Sequence, residues 1–155
     1  MTDQKPPRVI LIADDDPDDP DDRLLMKDAF KERCPLFTLW FAQDGVHLMR
    51  ILKGESASAG GNMAACSYLD LIILDLNMPR KDGREALWEI KSSSALRIIP
   101  TIVMTTSAND DDIRYCYNTG ANSYIIKPSS YSELLDVVSS LTSYWTNTVS
   151  LPRRA

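Results

Sequence analysis

Residues 71–79 read LIILDLNMP, and this stretch decides the fold of the chain. Its first four residues form an apolar run that is too short for most helices and has no 3.6-residue period, which is typical of a strand buried on both faces of a parallel sheet. The run ends at Asp75, and Pro79 and Asp82-Gly83 indicate a loop directly after it. Ligands bind at the carboxyl ends of the strands in open α/β sheets, so Asp75 is a candidate site residue. A single aspartate in this position is more often a solvated turn residue.

The composition predicts one globular domain with a core of its own, since the chain has 155 residues of which 44% are hydrophobic and 25% charged. Its formal net charge of −5 argues against nucleic acid as a direct partner. No apolar run approaches the roughly 20 residues that span a bilayer, and the N-terminus lacks a secretory signal, so we expect no membrane partner. The cysteines are too far apart for a zinc site or a disulfide framework, which indicates reduced thiols and a cytoplasmic location: Cys34, Cys66 and Cys116.

Four more apolar runs read as strands, and segments with helical periodicity separate them. The predicted strands cover residues 9–13, 36–41, 71–74, 98–104 and 122–126. This alternation predicts an α/β fold with a doubly wound, five-stranded parallel sheet, because parallel strands need crossover connections and those connections are right-handed. We expect the flavodoxin-like strand order 2-1-3-4-5, which places the first and third strands side by side.

Capping residues and apolar stripes indicate the helices. The first is predicted from Pro20 to about Arg33, with an inner face of Leu24, Leu25, Ala29 and Phe30. Caps are predicted at Asp44, at Asn109 or Asp110, and at Ser130, and the last helix is expected to reach about Asn147. Residues 54–67 are predicted to be a long loop. The chain is thus divided into a flexible N-terminus (1–7), a domain (8–147) and a C-terminal tail (148–155).

Polar side chains stand at the carboxyl ends of the predicted strands. Asp14 and Asp15 follow the first strand, Asp75 the third, Thr105 the fourth and Lys127 the fifth. Converging carboxylates repel one another, and a hard divalent cation such as Mg²⁺ relieves that repulsion. Carboxylates, a metal ion, an ammonium group and a hydroxyl are the parts that phosphoryl transfer requires, and a carboxylate oxygen can itself accept the phosphoryl group.

Other function classes share parts of this pattern. An EF-hand calcium loop that begins at Asp14 needs Gly at position 19 and Glu at position 25, where the chain has Asp19 and Leu25. A flavodoxin-like FMN carrier needs a hydroxyl-rich or glycine-rich phosphate loop after the first strand, but seven of the nine residues from 14 to 22 are Asp. An aspartate-based phosphatase commonly carries a second Asp two residues after the nucleophile, where this chain has Asn77. The FMN carrier and the phosphatase are the alternatives to a phospho-accepting domain.

At these strand ends and in the loops beside them, the chain resembles the receiver domain of two-component response regulators over residues 8–145. The residues that carry the resemblance are Asp14-Asp15, Asp75, Asn77-Met78-Pro79, Asp82-Gly83, Thr105, Gly120-Ala121 and Lys127-Pro128. It implies that Asp75 is the phospho-acceptor, that Thr105 is the switch hydroxyl, and that Lys127 pairs with the phosphoryl group. It also implies self-catalysed, Mg²⁺-dependent phosphoryl transfer with slow autodephosphorylation, and a cis peptide bond at Lys127-Pro128.

The same resemblance implies a metal site and an aromatic switch. Asp15, Asp75 and the backbone carbonyl of Asn77 would bind Mg²⁺, and Asp14 would act on the metal through water. Tyr124 matches the aromatic position whose ring turns inward when the switch hydroxyl moves. Phosphorylation would then alter the surface formed by the fourth helix, the fifth strand and the fifth helix.

Three segments narrow the resemblance to the small response regulators that are partnered with phytochromes: 75–91 (DLNMPRKDGREALWEIK), 99–107 (IPTIVMTTS) and 144–152 (YWTNTVSLP). This implies a phytochrome-type sensor histidine kinase as the phosphodonor and a homodimer through the face of the fourth helix, fifth strand and fifth helix. No helix-turn-helix or basic patch follows residue 147, so we expect a single-domain regulator without a DNA-binding output domain. The apolar residues near the end are either anchors for a partner or part of the domain's own core: Tyr144, Trp145, Val149 and Leu151.

Overall fold

The structure is a computed structural model that describes residues 8–14, 20–54 and 69–152. Its strands are β1 (Val9–Ala13), β2 (Thr38–Ala42), β3 (Leu71–Leu74), β4 (Thr101–Thr105) and β5 (Ser123–Ile126). Its helices are α1 (Pro20–Arg33), α2 (Gly45–Leu52), α3 (Gly83–Ser92), α4 (Asp110–Thr119) and α5 (Tyr131–Ser143), and a π-helical turn (Tyr144–Thr148) follows α5. The predictions for residues 1–7, for Asp15, for nearly all of the 54–67 loop with Cys66, and for residues 153–155 lie outside the described residues.

The five strands form one parallel sheet in the order β2-β1-β3-β4-β5, which confirms the predicted doubly wound, flavodoxin-like fold. Helices cover both faces of the sheet, so β1, β3 and β4 are buried along their whole length. Alternate residues of each strand enter different cores: Leu11 and Ile72 lie in one cluster, and Ile12 and Ile73 lie in the other. This two-sided burial explains why the strands read as continuous apolar runs.

The inner face of α1 differs from its prediction. Ala29 and Phe30 are fully buried as expected, but the third member of the stripe is Met26, and the side chains of Leu24 and Leu25 are 56% and 43% exposed. Residues 26, 29 and 30 follow the i, i+3, i+4 spacing of one helical face, whereas positions 24 and 25 are rotated away from it. The prediction of Leu24 and Leu25 as core residues was therefore wrong.

The predicted caps are present at three helices. Asp44 accepts a hydrogen bond from the backbone N–H of His47, Asn109 accepts one from that of Asp111, and Ser130 accepts one from that of Glu133. Each cap satisfies a backbone donor that the first turn of a helix leaves without a partner. The caps fix where α2, α4 and α5 begin, directly beyond the carboxyl ends of their strands.

The segment that follows α5, residues 144–152, packs partly on the domain itself. Trp145 packs against the core cluster that α1 and α5 share, and Leu151 lies in a small cleft with Leu69 and Pro100. Tyr144 is 50% exposed and makes an edge-to-face contact with Trp145 at a centroid distance of 5.4 Å. The sequence left open whether these apolar residues bind a partner or pack on the domain itself, and the structure shows packing on the domain for Trp145 and Leu151. None of the described helices combines the length and the apolarity that crossing a bilayer requires.

Lys91, in the last turn of α3, joins three segments near the amino ends of the strands. Its Nζ donates to the carbonyl oxygens of Arg97 and Ile99, each at 3.1 Å, and to Oδ1 of Asn122 at 3.2 Å. Gly120 ends α4 with a φ of 117°, and a Cβ there would lie 3.2 Å from Cγ of Lys91. Burial lowers the pKa of the Lys91 ammonium to about 8.

We predict that Lys91 makes the stability of the domain depend on pH above neutrality. An unfolded lysine has a pKa of about 10.4, so between about pH 8 and that value the unfolded chain binds more protons and stability rises with pH. The free energy of unfolding of the wild type minus that of Lys91→Gln should therefore increase from about pH 7 to about pH 9.5 in urea denaturation. A difference that stays constant over this range contradicts the prediction.

Candidate functional site

Two buried carboxylates lie side by side where β1 and β3 end. Ala13 is in register with Leu74, and the backbone N–H of Asp75 donates to the carbonyl oxygen of Ala13 at 2.9 Å, so Asp14 and Asp75 leave the sheet next to each other. Asp14 is 2% exposed and Asp75 is 5% exposed. Two carboxylates in such a position repel each other and need a cation.

Lys127 supplies a positive charge between them. Its Nζ lies 3.0 Å from Oδ2 of Asp14 and 2.9 Å from Oδ2 of Asp75, and its side chain is only 8% exposed. The backbone N–H of Lys127 donates to the carbonyl oxygen of Thr105, which places the lysine directly after β5 at the same edge of the sheet. One ammonium between two carboxylates leaves one negative charge in excess within this group of three.

The loop after β3 fixes the second oxygen of Asp75. The backbone N–H of Asn77 donates to Oδ1 of Asp75 at 3.1 Å, and that of Gly83 donates to the carbonyl oxygen of Leu76 at 3.0 Å. A Cβ on Gly83 would lie 2.1 Å from the carbonyl oxygen of Asp75, so only glycine allows α3 to begin this close to the strand. Gly45 likewise allows α2 to begin against the loop after β3, because a Cβ there would lie 2.2 Å from the carbonyl oxygen of Lys81.

Thr105 is the last residue of β4, between β3 and β5. It is fully buried, and its Oγ1 has no hydrogen-bond partner within the described part of the chain. A buried hydroxyl without a partner costs free energy, so it favours any acceptor that comes within its reach. Tyr124 on β5 packs partly against the core, and its hydroxyl donates to the carbonyl oxygen of Ser107 at 2.8 Å. Burial raises the pKa of the Tyr124 phenol.

The structure brings most of the predicted site residues together. Asp14, Asp75 and Lys127 are in contact, Asn77 bonds Asp75 through its backbone, and Thr105 stands at the end of the neighbouring strand. The remaining predicted metal ligand, Asp15, lies outside the described residues, and within those residues no three Asp, Glu, His or Cys side chains form a metal-binding group.

The region around Thr105 and Lys127 differs from its prediction in two respects. The predicted cis bond at Lys127-Pro128 is wrong for this structure, because the described residues contain no cis peptide bond. A trans bond is the more stable form before proline by about 0.5–1 kcal/mol. Sequence reasoning also missed a polar network beside Thr105 that is formed by Arg84, Ser107 and Asp112. Asp112 is one of three acids in the first turn of α4, and nothing in its distance from Arg84 along the sequence indicates that the two side chains meet.

We predict that Gly83→Ala destabilises the domain. Alanine in place of glycine ordinarily stabilises a helix by up to about 1 kcal/mol, but here the added methyl group meets the backbone of Asp75 and should lower the free energy of unfolding by about 1–3 kcal/mol. Glu85→Ala in the exposed first turn of the same helix is the control and should change stability by no more than about 0.5 kcal/mol. Urea denaturation of both variants distinguishes the outcomes, and a stabilised Gly83→Ala would refute the prediction.

Comparisons with known proteins match the chain to one family of domains. The family model of the response regulator receiver domain matches residues 10–139. The chain is 36% identical over 153 residues to the response regulator Rcp1 of Synechocystis, an alignment that covers 98% of this chain and 99% of Rcp1. It superposes with a TM-score of 0.83 on the crystal structure of the phosphorylated cyanobacterial phytochrome response regulator RcpA, at 35% identity and covering 95% of this chain and 99% of that one. The Mn²⁺-bound form of Rcp1 superposes with a TM-score of 0.80 at 35% identity, covering 94% and 99% of the two chains.

Proposed function

Because this chain belongs to the response regulator receiver family, we propose that it accepts a phosphoryl group on Asp75 from a sensor histidine kinase and signals through the resulting change of its surface. One observation supports this most directly: Lys127 holds two buried carboxylates at the carboxyl edge of the sheet. The hydroxyl of Thr105, for which the described residues offer no hydrogen-bond partner, lies at the end of β4, the strand beside β3. A carboxylate, an ammonium and a free hydroxyl at one edge are the groups that receive and hold a phosphoryl group.

In the proposed reaction, an oxygen of Asp75 attacks the phosphorus atom of a phosphohistidine on the kinase. An O–P bond forms and the N–P bond breaks, so that the imidazole leaves with the bonding electron pair and Asp75 becomes an acyl phosphate. The bond from Asn77 N–H holds Asp75 Oδ1, and Lys127 lies at Oδ2, where its charge stabilises the equatorial phosphoryl oxygens. The unsatisfied hydroxyl of Thr105 donates to one of these oxygens.

The donor set fits a divalent cation. Asp14 and Asp75 are hard oxygen donors, and together they carry one more negative charge than Lys127 neutralises. We propose that Asp15, Asp75 and the Asn77 carbonyl hold Mg²⁺, with Asp14 acting through water. A bound Mg²⁺ supplies charge neutralisation as the phosphoryl group approaches the carboxylates. The position two residues after the acceptor is Asn77 and not an acidic residue, which agrees with slow autodephosphorylation.

We predict that acetyl phosphate with Mg²⁺ adds one phosphoryl group to the protein, as measured by intact mass. Asp75→Asn should remove the labelling, because the amide nitrogen that replaces an oxygen is a poor nucleophile and the side chain no longer carries a charge. Chelation of the metal should also remove labelling, and excess Mg²⁺ should restore it. Lys127→Met should lower the rate by about 10²-fold or more, since it removes a charge that faces the transferred group.

Asp70→Asn is the matched control for this experiment, because Asp70 directly precedes the same strand at its opposite end. Asp70 accepts a hydrogen bond from the backbone N–H of Val9 and is far from Lys127 along the strand direction. This variant should be labelled like the wild type. Equal labelling of Asp75→Asn would point to another acceptor, and tight FMN binding without any labelling would favour the flavodoxin-like alternative.

A phytochrome-type kinase is the phosphodonor that we propose. The support comes from relatives that align with nearly the whole chain and are described as phytochrome response regulators. In the same mass assay, an autophosphorylated phytochrome-type kinase should transfer its phosphoryl group to the wild type faster than an unrelated sensor kinase does. Equal rates from the two kinases would argue against this partner.

A homodimer through the face of α4, β5 and α5 is the last part of the proposal. Large apolar side chains remain exposed on this face, including Tyr117 at 51% and Ile126 at 48%. Such patches are where soluble proteins associate.

We predict that Ile126→Asp shifts the protein towards the monomer in sedimentation velocity, since it places a charge in the interface. Leu36→Asp is the control, because Leu36 is 87% exposed beside β2, at the opposite edge of the sheet. Dissociation of the Leu36→Asp variant instead would place the interface elsewhere.

A further inference from the structure

A polar network beside Thr105 connects the loop after β4 with two helices. Arg84 near the start of α3 donates from Nε and Nη2 to Oδ1 of Asp112 in α4, at 2.9 and 2.8 Å. The other oxygen of Asp112 accepts a hydrogen bond of 2.6 Å from the hydroxyl of Ser107. Asp112 is therefore shared between a guanidinium on one helix and the loop after the proposed switch residue.

The network is anchored on α3. Nη1 of Arg84 lies 3.1 Å from both carboxylate oxygens of Asp82, the N-cap of α3, so the guanidinium is held by its own helix while it holds α4. The side chains of Arg84 and Asp112 are 30% and 20% exposed, which limits the competition from water. The bonds from Ser107 and then from Arg84 lower the pKa of Asp112, so this carboxylate stays ionised across the neutral range.

Ser107 is held from three directions. Its hydroxyl donates to Asp112 and accepts from the backbone N–H of Asn109 at 3.3 Å, and its carbonyl oxygen accepts from the Tyr124 hydroxyl. Only one residue separates Ser107 from Thr105, and two residues of chain span at most about 7 Å. A shift of the Thr105 backbone towards Asp75 therefore strains the bond between Ser107 and Asp112.

We propose that Arg84 and Asp112 form a brake on the switch: their ion pair fixes Ser107 and the start of α4 on α3, and it opposes the movement of Thr105 towards a phosphoryl group on Asp75. This inference rests on the proposed phosphorylation of Asp75. The brake stabilises the arrangement in which the Thr105 hydroxyl has no partner. Any state in which the loop moves with Thr105 has to break or stretch the bonds of Asp112, so the network raises the free energy of that state. Arg84 and Asp112 are positioning residues in this scheme and do not touch the reacting atoms.

The test measures the affinity for a phosphoryl analogue and the stability of the domain in the same set of proteins. Beryllium fluoride with Mg²⁺ is titrated into the wild type, Arg84→Gln and Asp112→Asn by calorimetry, and urea denaturation gives the stability of each. Both variants should bind the analogue about three- to tenfold more tightly, although both should unfold at lower urea concentration. The double variant should gain less than the product of the single gains, because both substitutions remove the same ion pair.

Glu89→Gln is the matched control. It removes the 2.7 Å ion pair between Lys81 and Glu89, which joins the loop after β3 to α3 but does not touch the loop after β4. This variant should lose stability without a gain in affinity. A merely structural role of Arg84 and Asp112 predicts the same for their variants.

The outcomes separate the two proposals. If the wild type is labelled by acetyl phosphate but the Arg84 and Asp112 variants bind the analogue with unchanged or weaker affinity, the brake is overturned and phosphorylation stands. Unchanged affinity is expected if a rotation of the Thr105 side chain alone reaches the phosphoryl group. If the wild type is not labelled, the proposed function fails and the brake fails with it.

Discussion

The structure depends on the ammonium of Lys127 and its place between two buried carboxylates. Neighbouring strands are about 4.8 Å apart, so Lys127 at the end of β5 reaches over β4 to contact Asp75 beyond β3 and Asp14 beyond β1. The contact forms only if four strands end at the same height. Removing one partner of such a buried group costs about 3–5 kcal/mol, because a charge is then left without compensation. The two hydrogen bonds of Lys127 to Asp14 and Asp75 therefore form only if strand order, register and strand length are all correct.

The loops after β2 and β3 also need a defined backbone path, because they position Asp75 at the end of β3. Gly83 lets α3 start against the carbonyl of Asp75, and Gly45 lets the loop after β3 lie on the start of α2. Arg80, in the same loop, adopts a positive φ of 68°, which costs free energy for a residue other than glycine. Its guanidinium lies 3.5 Å from Asp44, the N-cap of α2. The loop that carries Asp75 is thus held in place by its close contacts with the loop after β2 and with the start of α3.

The sequence predicted the sheet and the group of Asp14, Asp75 and Lys127 because each depends on a one-dimensional signal. A strand buried on both faces reads as an apolar run, and the first polar residue after it marks the edge of the sheet. The face of α1 was predicted wrongly because Leu24, Leu25 and Met26 are all apolar, and only the spacing of Met26 from Ala29 and Phe30 separates the buried residue from the exposed ones. Arg84 and Asp112 could not be paired from the sequence, because they are 28 residues apart and meet only through the path of the loop after β4.

Two polar residues near the end of β4 differ in whether their hydroxyl groups are hydrogen-bonded. Thr105 is buried and its hydroxyl has no hydrogen-bond partner among the residues that the structure describes, whereas Ser107, two residues later, has both its hydroxyl and its carbonyl bonded. The first condition costs free energy and is relieved by an acceptor near Asp75, and the second stabilises the loop where it is. In the proposed scheme, a phosphoryl group on Asp75 is the acceptor that draws Thr105 out of this arrangement, and the bonds of Ser107 oppose that shift. In that scheme, the strength of the network around Asp112 determines how strongly the phosphoryl group must attract Thr105 before the loop after β4 shifts.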